Sequence, residues 1–171
     1  VIDLVRFLAG NPMPVSAYGV TYNNLDPNRA GGGESWVSTT AGHNFKHDVE
    51  DMAAAMIRFD NGLTLTVEAS FKLNLKNDRG EIELFGTKAG AKIDPQVEFF
   101  SDMNGRFVNI KPFGDSALSF NGLFSREIDH FIESARGNCE CIAPAEDGVT
   151  LMKILDAIYE SAKTGHEVII K

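Results

Sequence analysis

Met52-Ala53-Ala54-Ala55-Met56-Ile57-Arg58-Phe59-Asp60-Asn61-Gly62-Leu63-Thr64-Leu65-Thr66-Val67-Glu68-Ala69-Ser70-Phe71 is the stretch whose reading decides the fold. Asn-Gly between two strand-like runs is a strong hairpin signal, and the leading Asp60 suggests a slightly longer or bulged turn. In the second run Leu63, Leu65, Val67, Ala69 and Phe71 alternate with Thr64, Thr66, Glu68, Ser70 and Lys72, which separates a core face from a polar, hydroxyl-rich face. The first run differs: Met52, Ala54 and Met56 fall on one side and Ala53, Ala55, Ile57 and Phe59 on the other, so something should cover each side.

Upstream, Val1, Leu4, Val5 and Leu8 recur at helical spacing, and Gly10 followed by Pro12 supplies a stop. That helix has an end but no proper beginning, since Asp3 is the only early capping group, so the natural sequence is expected to continue before Val1. Val15 to Tyr22 reads as a strand, and Asn23 to Gly42 as a long polar loop, with room for a short element near Trp36.

Downstream, strands are expected at Gly80 to Gly86, Ala91 to Asp94, Val97 to Ser101 and Arg106 to Lys111, with Asn104-Gly105 marking another hairpin. One helix follows with Phe124, Ile128, Phe131, Ile132 and Ala135 as its apolar stripe, stopped by Gly137-Asn138. A second begins near Pro144, Glu146 and Asp147, and its Val149, Met152, Leu155, Ile158, Tyr159 and Ala162 are expected to face inward until Gly165. Glu167 to Ile170 closes the chain as a strand.

These 171 residues suit a single domain of the α+β class: a mostly antiparallel, mixed, open β-sheet with helices packed on one face. The apolar second face calls for a partner, and another copy of the same sheet across a twofold axis is the economical one. Long loops over the sheet are the alternative.

Sixteen basic against twenty-four acidic residues leave a formal charge of -8, which argues against nucleic acid and anionic lipid as partners. No apolar run suggests a membrane span, the start lacks the marks of a signal peptide, and a cytoplasmic protein is expected. Cys139 and Cys141, one residue apart, fit neither a disulfide framework nor a Cys-x-x-Cys site and read as unpaired thiols.

Gly31 and Gly33 begin a G-x-G-x-x-G, but Trp36 takes the third glycine position, so this chain alone is not expected to bind a dinucleotide tightly. The segment Gly42 to Asp51 is richest in chemistry. His43, Lys46 and His47 are candidate substrate-binding groups, because binding residues favour loops carried on rigid sheets, and a plain solvated loop is the alternative. His43 and His47 would need a helix to chelate a metal together, and Gly42 before them and a strand after them argue against one. Asp129 and His130 are neighbours on a helix and point in different directions, so adjacency makes no dyad. No serine sits in a G-x-S-x-G turn.

Four segments carry a resemblance. His47 to Phe71 resembles the central hairpin of the glucose-fructose oxidoreductase and inositol dehydrogenase family (Gfo/Idh/MocA), and Glu127 to Ile132, Pro144 to Gly148 and Ala157 to Gly165 are similar to that family's C-terminal helices. The resemblance covers nearly the whole chain in order. It implies an N-terminal Rossmann half, missing here, that holds NAD or NADP, and a C-terminal domain that contacts substrate and self-associates through its sheet. It also implies hydride transfer on a sugar, polyol or related small molecule. The family's Lys lies in the Rossmann half and its Asp and His just upstream of Val1, so no catalytic or cofactor-binding residue is expected in this chain. Asp3 would be a surviving neighbour of the site, with a solvated or capping charge as the alternative. A sheet-mediated interaction module without catalysis is the alternative function.

Overall fold

Gly62 turns the chain where Asn-Gly predicts it, with φ of +87°. The Leu63 carbonyl accepts from Phe59 N at 2.9 Å, and the Asn61 side chain accepts from Leu63 N at 3.0 Å, which closes the hairpin. The computed structural model describes residues 1–23, 49–70, 73, 76, 80–94, 96–114 and 121–171. These divide into two compact units, Val1–Lys76 with Ala143–Lys171, and Asn77–Ile142.

The first unit holds α1 (Ile2–Leu8), β1 (Pro14–Tyr22), β2 (Met52–Phe59), β3 (Thr64–Ser70), and, from its second segment, a 20-residue helix and a short strand. Its sheet has the order β3-β2-β1-final strand, Val168–Ile169, and every pairing is antiparallel. The long helix, Ala145–Thr164, covers one face. Ile154, Ala157 and Ile158 pack there against Ala17, Ala55, Ile57 and Phe59. Full burial of Ile57 and Ile154 contributes about 1.5–3 kcal/mol each. A Cβ on Gly19 would stand 2.7 Å from Ile158 Cγ2, so glycine is what lets helix and sheet approach here. The opposite face, with Tyr18, Met56 and Arg58, stays exposed.

The second unit carries β4 (Ile82–Phe85), β5 (Ala89–Asp94), β6 (Glu98–Met103), β7 (Arg106–Ile110) and α2 (Leu123–Ala135). Its four strands form an antiparallel meander in chain order. Asn104 and Gly105, both at positive φ, join Met103 to Arg106 as the two-residue turn that Asn-Gly favours. The 20-residue helix is therefore α3, and the closing strand β8.

The α+β class and the open antiparallel sheet are as the sequence predicts, with the strands divided into two four-stranded sheets. Two details differ. The buried stripe of α3 is Thr150, Ile154, Ala157, Ile158 and Ser161, while Val149, Met152 and Tyr159 are exposed. Hydroxyls enter that stripe because they bond locally: Thr150 Oγ1 donates to the Glu146 carbonyl, and Ser161 Oγ donates to the His166 carbonyl while accepting from Gly19 N. In α2 the predicted apolar stripe is present, but Phe124, Ile128 and Phe131 are all exposed.

Candidate functional site

Tyr22 ends β1 opposite Met52, the first residue of β2, and the Asp51 amide donates to the Tyr22 carbonyl at 2.7 Å. Whatever runs between Asn23 and Val49 therefore leaves and rejoins the sheet at one point. His43, Lys46 and His47 belong to that stretch and lie outside the described residues.

The return point is held from below. Tyr159 on α3 donates its hydroxyl to Glu50 Oε1 at 2.7 Å, which raises the phenol's ionisation above its ordinary range; burial and the Glu50 charge act the same way. Ser70 Oγ donates to the Asp51 carbonyl at 2.9 Å and secures the same corner from β3.

Asp3 is exposed in the first turn of α1. The same helix buries Arg6, whose Nη2 donates to Asp147 Oδ1 at 3.3 Å and whose Nε donates to the Pro12 carbonyl at 3.3 Å. Asp147 stands in the first turn of α3, where a carboxylate also complements the helix dipole. Twelve residues of α3 separate Asp147 from Tyr159, or about 18 Å along the axis. Arg6 and Glu50 are thus tied to α3 well apart.

Sequence reading missed both anchors. Arg6 was legible: Ile2, Val5 and Arg6 follow helical spacing, and a cation inside an apolar stripe asks for a buried partner. Nothing local in the sequence pairs Tyr159 with Glu50, 109 positions away.

In the second unit His130 Nε2 accepts the Ile142 amide at 3.1 Å, and Nδ1 lies 3.7 Å from Cys139 Sγ. Cys139 and Cys141 are free and exposed. Across β6 and β7, Glu98 pairs with Lys111 and accepts from Asn109, and these bonds lower its ionisation below the usual carboxylate range. Among the described residues no group of three or more His, Cys, Asp or Glu could hold a metal ion, and no helix is long and apolar enough to cross a membrane. The pairings among the described strands are all antiparallel.

Comparison with known proteins adds the wider context. The profile described as the C-terminal alpha/beta domain of an oxidoreductase family matches residues 1–170. D-glucoside 3-dehydrogenase of Escherichia coli (strain K12) is 28% identical over 170 residues, covering 98% of this chain and 45% of that protein. Levoglucosan dehydrogenase of Pseudarthrobacter phenanthrenivorans is 29% identical over 186 residues, covering 95% of this chain and 47% of its own length. A levoglucosan dehydrogenase structure in complex with NADH and L-sorbose shares the fold at a TM-score of 0.76, with 22% identity, all of this chain and 48% of that one. The chain thus spans about half the length of the relatives it matches.

Proposed function

The chain belongs to the Gfo/Idh/MocA oxidoreductase family as its C-terminal alpha/beta domain, and from that premise we propose that it is the substrate-side and oligomerisation half of an NAD- or NADP-dependent oxidoreductase acting on a sugar, polyol or related small molecule. The observation that carries this reading is the profile match over residues 1–170 in a chain that covers less than half of its dehydrogenase relatives. Both units work as one C-terminal domain in this reading, and a Rossmann half supplies the dinucleotide.

A bound NAD or NADP would supply the acceptor for a hydride from the substrate's carbinol carbon. The hydroxyl proton leaves to a base with a pKa near working pH, carried outside this chain. The part assigned to this chain is binding. Asp3, His43, Lys46 and His47 offer carboxylate, imidazole and ammonium groups to hydroxyls. The segment between Tyr22 and Asp51 suits that task, because both its ends are held at one hydrogen-bonded corner of the sheet. The exposed sheet face with Tyr18, Met56 and Arg58 suits self-association.

Turnover of sugars and polyols with either nicotinamide tests the assignment, measured on this chain alone and joined to a dinucleotide-binding half. Activity in the joined protein only is expected. Hydride transfer by the chain alone would overturn it. For self-association, a stable monomer by light scattering at micromolar concentration would remove the sheet face from the proposal.

A further inference from the structure

The second unit has a cavity that the reading above does not use. It holds about 400 Å³ and is lined by residues 83–91, by 100–102 and by Phe107. The strand register explains it. Phe85 pairs with Gly90, and Gly90 with Phe100, so three adjacent strands present ring, glycine and ring in a row. Two strand spacings separate the rings' backbones, about 10 Å. Gly90 leaves the middle of the row open, and a Cβ there would crowd the Leu84 carbonyl oxygen at 3.2 Å and touch the Phe100 ring at 3.8 Å. Phe107 extends the far wall, its ring parallel to that of Phe100 within 2° at a centroid distance of 6.4 Å.

We infer that this slot is a binding site for a neutral sugar ring or similar polyol. Its size falls in the range of small-molecule sites. Charge decides the ligand class. Lys88 in the lining opposes a cation, while Glu83 and Asp102 oppose an anion. A neutral polyol takes both: its hydroxyls donate to the carboxylates and accept from the amine, and the C–H face of its ring lies on the negative faces of the phenylalanines. Further along the sheet, Lys92 stands 3.3 Å from Glu81 and 4.0 Å from Glu83 and so neutralises part of the Glu83 charge, while Lys111 is held by Glu98. The site needs neither a nicotinamide nor another half of a longer protein, so its failure would leave the proposed oxidoreductase function untouched.

Phe85 and Phe107 are 89% and 78% exposed, so their truncation removes little packing. The test is amide chemical-shift titration of this chain with methyl α-D-glucopyranoside, with tetramethylammonium and inorganic phosphate as charged comparisons. Saturable shifts at Gly90 and Asp102 with the glucoside are expected, in the low millimolar range. F85A and F107A should weaken binding about tenfold or more, and K88M by a smaller factor. F113A, a fully exposed phenylalanine outside the lining, should bind as the parent does. Spectral dispersion of each variant reports its folding. Four results would overturn the proposal: no glucoside shifts up to about 100 mM, binding indifferent to F85A, F107A and K88M, stronger response to either ion, or the same resonances moving on dilution alone, which would give the surface to a second copy.

Discussion

The Arg6 guanidinium and the Asp147 carboxylate meet at 3.3 Å from positions 141 residues apart, and they clasp the first helix of the chain to the first turn of α3. Arg6 is 1% exposed and Asp147 23%. Removing the carboxylate strands a cation in the interior, so Asp147→Ala is expected to cost about 3 kcal/mol, the low side for a buried pair because one partner reaches solvent. Arg6→Met exchanges the buried cation for an apolar chain of similar length and should cost far less. Urea denaturation of both variants checks the asymmetry, with equal losses counting against it.

Gly19 and Ile158 define the closest approach of helix to sheet. Gly19→Ala is expected to destabilise by about 1–3 kcal/mol through overpacking. Ile158→Ala alone should cost about 2–5 kcal/mol. The double variant should lose less than the sum, since each change relieves the other. Additive thermal shifts would show that the two do not touch.

At Gly62 an added Cβ meets nothing within 4 Å, so the cost of Gly62→Ala is backbone strain alone at φ of +87°. A loss of about 1 kcal/mol is expected by chemical denaturation. An unchanged midpoint would mean that the turn adopts another geometry.

Tyr159 should make stability fall on the alkaline side. Its neutral phenol donates to Glu50, which raises its ionisation above the ordinary value. The bond is intact below a pH of about 10, the unfolded value. It is lost as pH rises through the raised folded value, when the phenolate can no longer donate and faces the Glu50 charge. Ultraviolet difference titration should show a late phase that Tyr159→Phe removes, and a titration unchanged by that substitution would refute the assignment.

Elements were legible wherever a local signal set them. Asn61-Gly62 and Asn104-Gly105 fix both hairpins because positive φ is written into the residue types. The extents of α2 and α3 follow from their periodicity and from the glycines after them. The inward face of α3 was not legible, because Thr150 and Ser161 read as polar yet satisfy their hydroxyls on nearby or facing backbone. The division of the strands into two sheets depends on which edges pair, and residue alternation gives faces but not neighbours. Of the candidate site residues, Asp3 is exposed on α1, and His43, Lys46 and His47 lie beyond the described residues. The slot at Gly90 needed three strands in register, which no single stretch of sequence reveals.

The hydrogen bond between Asp51 and Tyr22 has an evolutionary reading. Because the chain leaves and rejoins the sheet at paired positions, a change in the length of what lies between leaves the strand ladder unaltered. Insertions, deletions and replacement between Asn23 and Val49 thus spare both the strand ladder and the Tyr159–Glu50 bond beside it. Such a junction works as a splice point, where one sheet can be fitted with different recognition loops over time. In the laboratory it is the place to exchange a loop from a relative while leaving every packed residue of the sheet in position.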